Sequence, residues 1–169
     1  MFKLVLYSTG YFYTQYIVIS IYYDYTIKEE NKMSKKVLVV GGVAGGATTV
    51  ARLRRLDEDL EIILFERGKY ISFANCGLPY YIGGTIESRD ALLVQTPEAM
   101  EQRFNIDVRT KSEVTKIYRD DKEVEVKDLN TGNIYRESYD ILVLSPGSTP
   151  LKPPIPGIDL PNIFTLWNI

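Results

Sequence analysis

Residues 36–66, KVLVVGGVAGGATTVARLRRLDEDLEIILFE, decide the fold. Residues 37–40 are a continuous apolar run rich in valine, which predicts a strand buried on both faces of a parallel sheet. A glycine-rich turn follows at residues 41–46, and four apolar residues then recur at the spacing of one helix face: Ala47, Val50, Leu53 and Leu56. Acidic residues 57–59 end that helix, and a second apolar strand, residues 61–65, leads to Glu66. The order strand, turn, helix, strand predicts an α/β fold built on a parallel sheet.

The glycine turn and the acid that follows it predict a dinucleotide site. Pyrophosphate carries two negative charges and needs backbone N–H groups at close range, and a glycine-lined turn before a helix supplies them together with the helix dipole. Glu66 stands twenty residues after Gly46, where a carboxylate accepts hydrogen bonds from the ribose hydroxyls of adenosine. Read as G-x-G-x-x-G from Gly41, the turn has Val43 in place of the second glycine, which narrows the approach to the pyrophosphate. The alternative interpretation is a tight turn whose glycines are only structural.

The composition excludes several kinds of chemistry. The 169 residues carry 20 basic and 22 acidic side chains, so the net charge of −2 gives no positive field for a nucleic acid partner. Histidine is absent, which excludes Ser-His-Asp and Cys-His catalysis and removes the commonest metal ligand, so we expect no metal. The single cysteine excludes an internal disulfide framework and a CxxC motif, and it fits a reducing, cytoplasmic location. No apolar run is long enough to span a membrane, and we expect no membrane partner.

The one cysteine, Cys76, lies in ISFANCGLPYY, residues 71–81. A cysteine just ahead of a short helical stretch has its thiolate stabilised by the helix N-terminus, which gives a nucleophilic sulfur without histidine. Ligands of an open α/β sheet bind at the carboxyl ends of the strands, so a cysteine directly after the strand-helix-strand unit is expected near the reactive end of a cofactor. The alternative is that Cys76 is a small buried apolar residue.

Residues 36–150 resemble the N-terminal FAD-binding part of the pyridine nucleotide-disulfide oxidoreductases. More narrowly, SFANCGLPYYIGG (residues 72–84) after VLVVGGVAGGATTVARLRRLD (residues 37–57) is similar to the single-cysteine branch that contains coenzyme A-disulfide reductases and NADH oxidases. Reductases with a dithiol carry C-x4-C, and here Tyr81 occupies the second cysteine position. The resemblance implies that Cys76 alternates between a thiolate beside the flavin and either a mixed disulfide with coenzyme A or a sulfenic acid. It also implies an incomplete form of the three-layer, Rossmann-like FAD/NAD(P)-binding fold: parallel sheet, helices and antiparallel β-meander.

One position separates two activities within this branch. The peroxidases and many water-forming oxidases carry a histidine in the glycine turn, and the corresponding residue here is Ala44. Because the chain has no other histidine, the resemblance favours NAD(P)H-dependent reduction of coenzyme A disulfide or a related sulfur substrate. An NADH oxidase that reduces oxygen at the flavin is the first alternative, and a non-catalytic nucleotide-binding remnant is the second.

The resemblance also implies roles for individual residues. FAD is expected to contact the following residues, Val114 through its backbone: Gly41, Gly42, Val43, Ala44, Gly45, Gly46, Glu66, Arg67, Val114, Ser145, Pro146 and Gly147. Coenzyme A is expected to contact Thr48, Arg52, Arg55, Ser72 and Asn75, since arginine suits phosphate recognition. Arg52 stands where the relatives often have glutamine. The alternative for Arg52, Arg54 and Arg55 is a solvated helix face.

Further elements are predicted after the cysteine. Residues 92–94 are interpreted as a short strand, and Thr96-Pro97-Glu98 as a helix start with an N-cap, a proline in first position and an early acid. Alternation in residues 123–127 and the turn at residues 130–133 predict an antiparallel meander. Residues 141–144 are predicted to be a buried strand that leads into the glycine-containing segment 145–150.

Both ends of the chain differ in composition from its middle. Residues 1–32 hold seven of the thirteen tyrosines, and their bias resembles translated AT-rich upstream sequence, so Met33 is the expected start; a β-extension is the alternative. Residues 33–150 are predicted to be the first segment of an FAD-binding domain, and the proline-containing residues 151–169 a linker into an NAD(P)H-binding domain. The resemblance then implies an N-terminal fragment, inactive alone, of a homodimer that uses NADH or NADPH.

Overall fold

The computed structural model describes residues 34–169, so the predictions for residues 1–32 and for Met33 as the start lie outside the described residues. Residues 35–169 form one compact unit. In this part of the chain the strands are β1 (Lys36–Val40), β2 (Glu61–Glu66), β3 (Asp107–Thr110), β4 (Ser112–Tyr118), β5 (Glu123–Asp128), β6 (Ile134–Ser138) and β7 (Ile141–Leu144). The α-helices are α1 (Ala44–Leu56), α2 (Leu78–Ile82) and α3 (Pro97–Phe104), and short 3-10 turns lie at Asn75–Gly77 and Arg89–Leu92.

The parallel sheet has the strand order β3-β2-β1-β7. Its central strands, β1 and β2, have other elements packed on both faces. On one face, residues of β1 and β2 pack in one cluster with residues of α1 and α3: Val37, Val39, Ile62, Leu64, Val50 and Met100. On the other face, residues of β1 and β2 pack against the meander: Leu38, Ile63, Phe65, Val124 and Val126. Alternate residues of β1 therefore enter two different cores, and the predicted three-layer α/β fold is confirmed.

Helix α1 spans the predicted segment, but its apolar face is shorter than the sequence suggested. Ala47 and Val50 are buried and Leu53 is half-buried, as the spacing predicts. The prediction for Leu56 is wrong, because this side chain is 65% exposed. Leu56 is the last residue of the helix, so its side chain has passed the cluster that covers the sheet.

Two other predicted strands differ from the structure. β7 forms at the predicted residues, but it is not buried: it pairs with β1 only among the described strands, and Ile141 and Leu144 are 44% and 56% exposed. Residues 92–94 form no strand ladder; a 3-10 turn ends at Leu92, and the segment makes a single antiparallel bridge between Phe73 and Leu93. Both errors arise because an apolar run does not reveal whether a segment pairs with two other strands, with one or with none.

The remaining predicted elements are confirmed. β4, β5 and β6 form an antiparallel meander whose inward residues Val124 and Val126 are fully buried. Thr96 is the N-cap of α3, where its hydroxyl accepts a hydrogen bond from the Ala99 N–H at 3.2 Å and Pro97 takes the first position. No helix among residues 34–169 combines the length and apolarity that crossing a bilayer would require.

Candidate functional site

The glycine turn is held tightly between β7 and α1. Gly41 has φ +97°, and a Cβ there would lie 1.9 Å from the carbonyl oxygen of Ser145. A Cβ at Gly46 would lie 1.7 Å from the carbonyl oxygen of Gly41. Neither position has room for a side chain, so these two glycines let the helix start directly against the strand end.

The N-terminus of α1 faces the groove, where Val43, Ala44 and Gly45 are among the lining residues. Val43 precedes the helix, and no side chain of the described residues caps it. The first turn holds no acid, while Arg54 and Arg55 lie in the last turn, so the charges complement the helix dipole only at its C-terminus. The first N–H groups of a helix have no partner within the helix, and here they are suited to bind an anion.

Glu66 is fixed at the end of β2 by two backbone donors. Its Oε2 accepts a hydrogen bond from the Gly42 N–H at 2.7 Å, and its Oε1 accepts one from the Gly68 N–H at 2.6 Å. Each carboxylate oxygen can accept a second hydrogen bond, so both stay available to hydroxyl donors of a ligand. The backbone thus orients the acid without exhausting its capacity to bind a ribose.

The turn and the acid open onto one groove of about 1390 Å³. Most of the residues predicted to contact FAD line it: Gly41, Val43, Ala44, Gly45, Glu66, Arg67, Val114, Ser145, Pro146 and Gly147. Gly42 and Gly46 do not line it; both are buried behind the turn, where Gly42 holds Glu66 and Gly46 contacts Gly41. The structure therefore brings together residues from the carboxyl ends of β1, β2 and β7, as expected for an open α/β sheet.

Sequence reasoning missed several residues of this groove, among them Lys69, Phe73 and Lys111. Lys111 could have been found, because β3 runs parallel to β2 with Thr110 opposite Glu66, so the residue after β3 reaches the same edge. No sequence signal marks Lys69, whereas Phe73 lies in the cysteine segment, residues 71–81, and could have been included. Arg67, which was predicted, forms an ion pair with Glu113 at 3.6 Å at the exposed end of the groove.

Backbone hydrogen bonds connect the cysteine segment, residues 71–81, to the glycine turn and to residues 92–95. The Ser72 N–H donates to the Gly42 carbonyl at 2.9 Å, and the Val94 N–H donates to the Ser72 carbonyl at 2.9 Å. Gly77 is buried, and a Cβ there would lie 2.6 Å from the Cδ2 of Leu92. Backbone bonds therefore fix the path of this loop.

Cys76 itself is exposed and lines the groove, which excludes the interpretation as a buried apolar residue. It lies in the 3-10 turn before α2, as the sequence suggested. Helix α2 has only five residues, so its dipole is small compared with that of α1. The thiol is therefore accessible on a fixed backbone, in the same groove as the uncapped start of α1.

The residues predicted to bind coenzyme A are only partly brought together. Asn75 lines the groove beside Cys76, and its amide nitrogen lies 3.5 Å from the carbonyl oxygen of Trp167. Thr48, Arg52 and Arg55 are exposed on α1 and do not line the groove. Ser72 is half-buried next to it, with φ +46°.

The three arginines of α1 differ in their surroundings. Arg54 is not on a solvated face, because its guanidinium donates to the carbonyl oxygens of four residues: Glu58, Leu60, Phe104 and Asn105. It joins the C-terminal ends of α1 and α3. Arg52 and Arg55 are exposed, and the Arg55 guanidinium lies 5.8 Å from the ring centre of Phe104.

Comparison with known proteins identifies close likeness over this whole region. The family described as pyridine nucleotide-disulphide oxidoreductase matches residues 35–168. A coenzyme A disulfide reductase of Staphylococcus haemolyticus is 44% identical over 135 residues, which are 80% of this chain and 30% of that protein. The chain thus spans about 30% of the length of the curated relatives that it matches.

Two solved structures are similar in both fold and sequence. The crystal structure of reduced CoADR-RHD from Bacillus anthracis superposes with a TM-score of 0.72 at 60% identity, over 75% of this chain and 23% of that one. The structure of a NAD-dependent persulfide reductase from A. fulgidus gives a TM-score of 0.73 at 39% identity, over 78% of this chain and 24% of that one.

Proposed function

The chain belongs to the pyridine nucleotide-disulphide oxidoreductase family, and on this premise we propose that it supplies the FAD-binding, thiol-bearing part of an NAD(P)H-dependent reductase of coenzyme A disulfide or a related sulfur compound. The observation that carries the proposal is the placement of an exposed Cys76 thiol in the same groove as the uncapped start of α1 and the oriented carboxylate of Glu66.

The residues of the groove fit FAD in three places. The N–H groups at the start of α1 would hold the pyrophosphate, where Gly45 has no side chain and a Cβ would lie 2.3 Å from the Oγ of Ser145. Glu66 would accept hydrogen bonds from the ribose hydroxyls, and the backbone of Val114 would lie along the adenine. Residues 145–147 would form the opposite wall. When bound, FAD would supply two-electron transfer between the nicotinamide and the sulfur.

Cys76 would carry the exchange step with the disulfide substrate. Its thiolate attacks one sulfur of RS–SR, a bond forms between Sγ and that sulfur, the S–S bond breaks, and RS⁻ leaves and takes a proton from solvent. The product is a mixed disulfide on Cys76. These 169 residues hold a single cysteine, so none of them offers a second thiol to resolve it.

Coenzyme A disulfide is the proposed substrate for two reasons. The Staphylococcus relative bears the name of that activity at 44% identity. Asn75 lies beside Cys76, and Thr48, Arg52 and Arg55 form an exposed, partly basic face on α1 that suits a phosphorylated ligand. Within the longer relatives, we propose residues 33–150 as the first segment of the FAD domain and residues 151–169 as the linker into the NAD(P)H domain of a homodimer.

FAD binding is tested by titrating the chain with FAD and following flavin fluorescence. Glu66→Ala is expected to weaken binding at least tenfold, because the ribose loses its acceptors. Glu61→Gln, at the opposite end of the same strand, is the matched control and is expected to stay within twofold of the wild type. The thermal midpoint is measured on the same samples, and equal affinities for the wild type and folded Glu66→Ala would contradict the proposed site.

The thiol chemistry is tested by incubating the chain with coenzyme A disulfide and measuring intact mass. One coenzyme A adduct per chain is expected for the wild type and none for Cys76→Ser. Arg55→Ala is expected to slow this reaction severalfold while leaving reaction with glutathione disulfide unchanged, and Arg119→Ala, an exposed turn residue, is the control. Equal rates with both disulfides in the wild type would refute the coenzyme A preference, and absence of any adduct would refute the role of Cys76.

A further inference from the structure

Arg109 connects the parallel sheet to the meander, close to the end of the groove at which Glu66 lies. It lies on β3 opposite Phe65 of β2, so its neighbour Thr110 lies opposite Glu66. The guanidinium carbon is 5.5 Å from the ring centre of Phe65 and 5.8 Å from that of Tyr135 on β6. Its Nη1 also donates to the hydroxyl of Tyr135 at 3.2 Å. One planar cation therefore contacts both an aromatic ring of the sheet and one of the meander.

Phe65 adjoins one half of the proposed adenosine site, and Tyr135 lies two strands away from the other half, on the same rung of the meander. Phe65 directly precedes Glu66, which holds the proposed ribose position. Tyr135 pairs with Val126, and Val126 pairs with Val114, so Tyr135 and Val114 lie on the same rung of the meander. Arg109 thus bridges the end of β2 and the rung that holds Val114, in addition to the buried contacts between Phe65 and Val126.

Ion pairs hold the guanidinium in this position. Nη1 lies 2.6 Å from Oε2 of Glu137 on β6, and Nη2 lies 2.7 Å from Oδ2 of Asp107 on β3. Glu137 also pairs with Lys36 of β1. Burial alone would lower the pKa of Arg109, but its hydrogen bonds to Asp107, Glu137 and Tyr135 outweigh burial and hold the pKa above its ordinary value. The cation is therefore permanently charged and has partners on both layers.

We propose that Arg109 is a positioning residue for the adenosine half of the cofactor, which fixes the separation between the carboxylate of Glu66 and the backbone of Val114. The proposal rests on the FAD site described above. It predicts a selective defect: loss of Arg109 lets the meander shift, so ligands that contain adenosine bind less well, whereas a ligand that occupies only the flavin end does not.

The experiment measures the affinity of the whole chain for FAD, ADP and FMN in three variants. Arg109→Met removes both the charge and the planar guanidinium group. Arg109→Lys keeps the charge but loses the contact of a planar group with the rings of Phe65 and Tyr135. Arg136→Met is the matched control, because Arg136 also lies on β6, between Tyr135 and Glu137. Its guanidinium pairs with Glu123 at 3.0 Å and stacks on Tyr118, both of which belong to the meander and not to the parallel sheet. Thermal midpoints are recorded for every variant.

Arg109→Met is expected to weaken FAD and ADP about tenfold, and Arg109→Lys about threefold, while FMN affinity changes less than twofold and Arg136→Met stays at the wild-type value. If Arg109→Met does not fold, Arg109→Lys decides by the same criterion. Unchanged ADP affinity in the folded variant overturns the proposal, and so does an equal loss for FMN and ADP, which would indicate general loosening. A wild-type chain that binds neither FAD nor ADP would instead refute the cofactor site itself.

Discussion

Gly46→Ala and Gly45→Ala differ by one position in the turn, and we expect them to fail in different ways. At Gly46 the added methyl would lie 1.7 Å from the Gly41 carbonyl oxygen and 2.9 Å from its carbon. A normal C···O contact is about 3.3 Å, so helix and strand must separate by about 1.6 Å at this point. The obstacle is backbone on both sides, so no side-chain rotation can relieve it.

The cost of Gly46→Ala follows from that displacement. Forcing a methyl group into a packed core costs about 1–3 kcal/mol or somewhat more, and moving α1 away from the sheet also loosens buried Ala47 and Val50. Replacing glycine by alanine within a helix returns at most about 1 kcal/mol. With the upper end of that cost and the gain subtracted, the expected net loss is about 2 kcal/mol in the free energy of unfolding, which corresponds to a fall of about 7 °C in the thermal midpoint for a domain of this size.

Gly45→Ala meets a side chain instead of backbone. Its methyl would lie 2.3 Å from the Oγ of Ser145 and 3.5 Å from the Ser145 Cβ, so rotation of the hydroxyl removes the clash. With the gain in helix propensity, stability should change by less than about 1 kcal/mol. Gly45 lines the groove at the proposed pyrophosphate position, however, so FAD affinity should fall at least tenfold. In the double variant Gly45→Ala/Ser145→Ala, the contact between the added methyl and the Ser145 hydroxyl is removed, but FAD binding is expected to stay weak.

The assay combines urea unfolding of the cofactor-free chain with FAD titration of each variant. We expect Gly46→Ala to be unstable, and Gly45→Ala to be stable but to bind FAD poorly. Wild-type stability in Gly46→Ala would refute the steric argument for the turn. Wild-type FAD affinity in Gly45→Ala would refute the placement of the pyrophosphate at the start of α1.

Three further predictions concern side chains outside the groove. Arg54→Met should lower the free energy of unfolding by about 2 kcal/mol in urea, because the carbonyl oxygens at the ends of α1 and α3 lose a charged donor; an unchanged midpoint would contradict this. Thr96→Ala should cost about 1 kcal/mol by loss of the N-cap of α3, and Thr96→Ser, which keeps the hydroxyl, should cost much less in the same assay. Burial alone would raise the pKa of Glu137, but hydrogen bonds from Lys36 and Arg109 hold it below its ordinary value of 4.5. A depressed pKa in the folded state gives stability that is present above the ordinary pKa and is lost as the pH falls through the folded-state pKa. The free energy of unfolding of the wild type should therefore drop at pH values below 4.5, and Glu137→Gln should show a smaller drop. Identical pH profiles of the two proteins would exclude this contribution.

The sequence predicts the central part of the site because the relevant signals are local. The spacing from the glycine turn to Glu66 reflects one helix and one strand of ordinary length, and both are visible as apolar periodicity. The spacing does not reveal why the acid points into the groove. That orientation depends on the local N–H group of Gly68 and on the N–H group of Gly42, which approaches the carboxylate only after β1 and β2 pair.

Edge position and side-chain partners are the features that local patterns cannot predict. β7 has the composition of a central strand, yet it lies at the border of the described sheet, because strand order is decided by pairing over a separation of about a hundred residues. Arg54 and Arg55 are sequence neighbours of equal propensity, and both reach the end of α3, but only Arg54 donates to backbone carbonyls there, whereas Arg55 lies over the ring of Phe104.

The same limit explains why Arg109 does not stand out in the sequence, although its partners come from both the parallel sheet and the meander. Its partners come from β2, β3 and β6, and through Glu137 it reaches β1. Local signals identify the groups that would touch a nucleotide, whereas the distance between those groups is set by contacts between layers. A variant that preserves every predicted FAD contact can therefore still lose the cofactor, and the contrast between ADP and FMN binding in Arg109→Lys measures how much of the affinity depends on that distance.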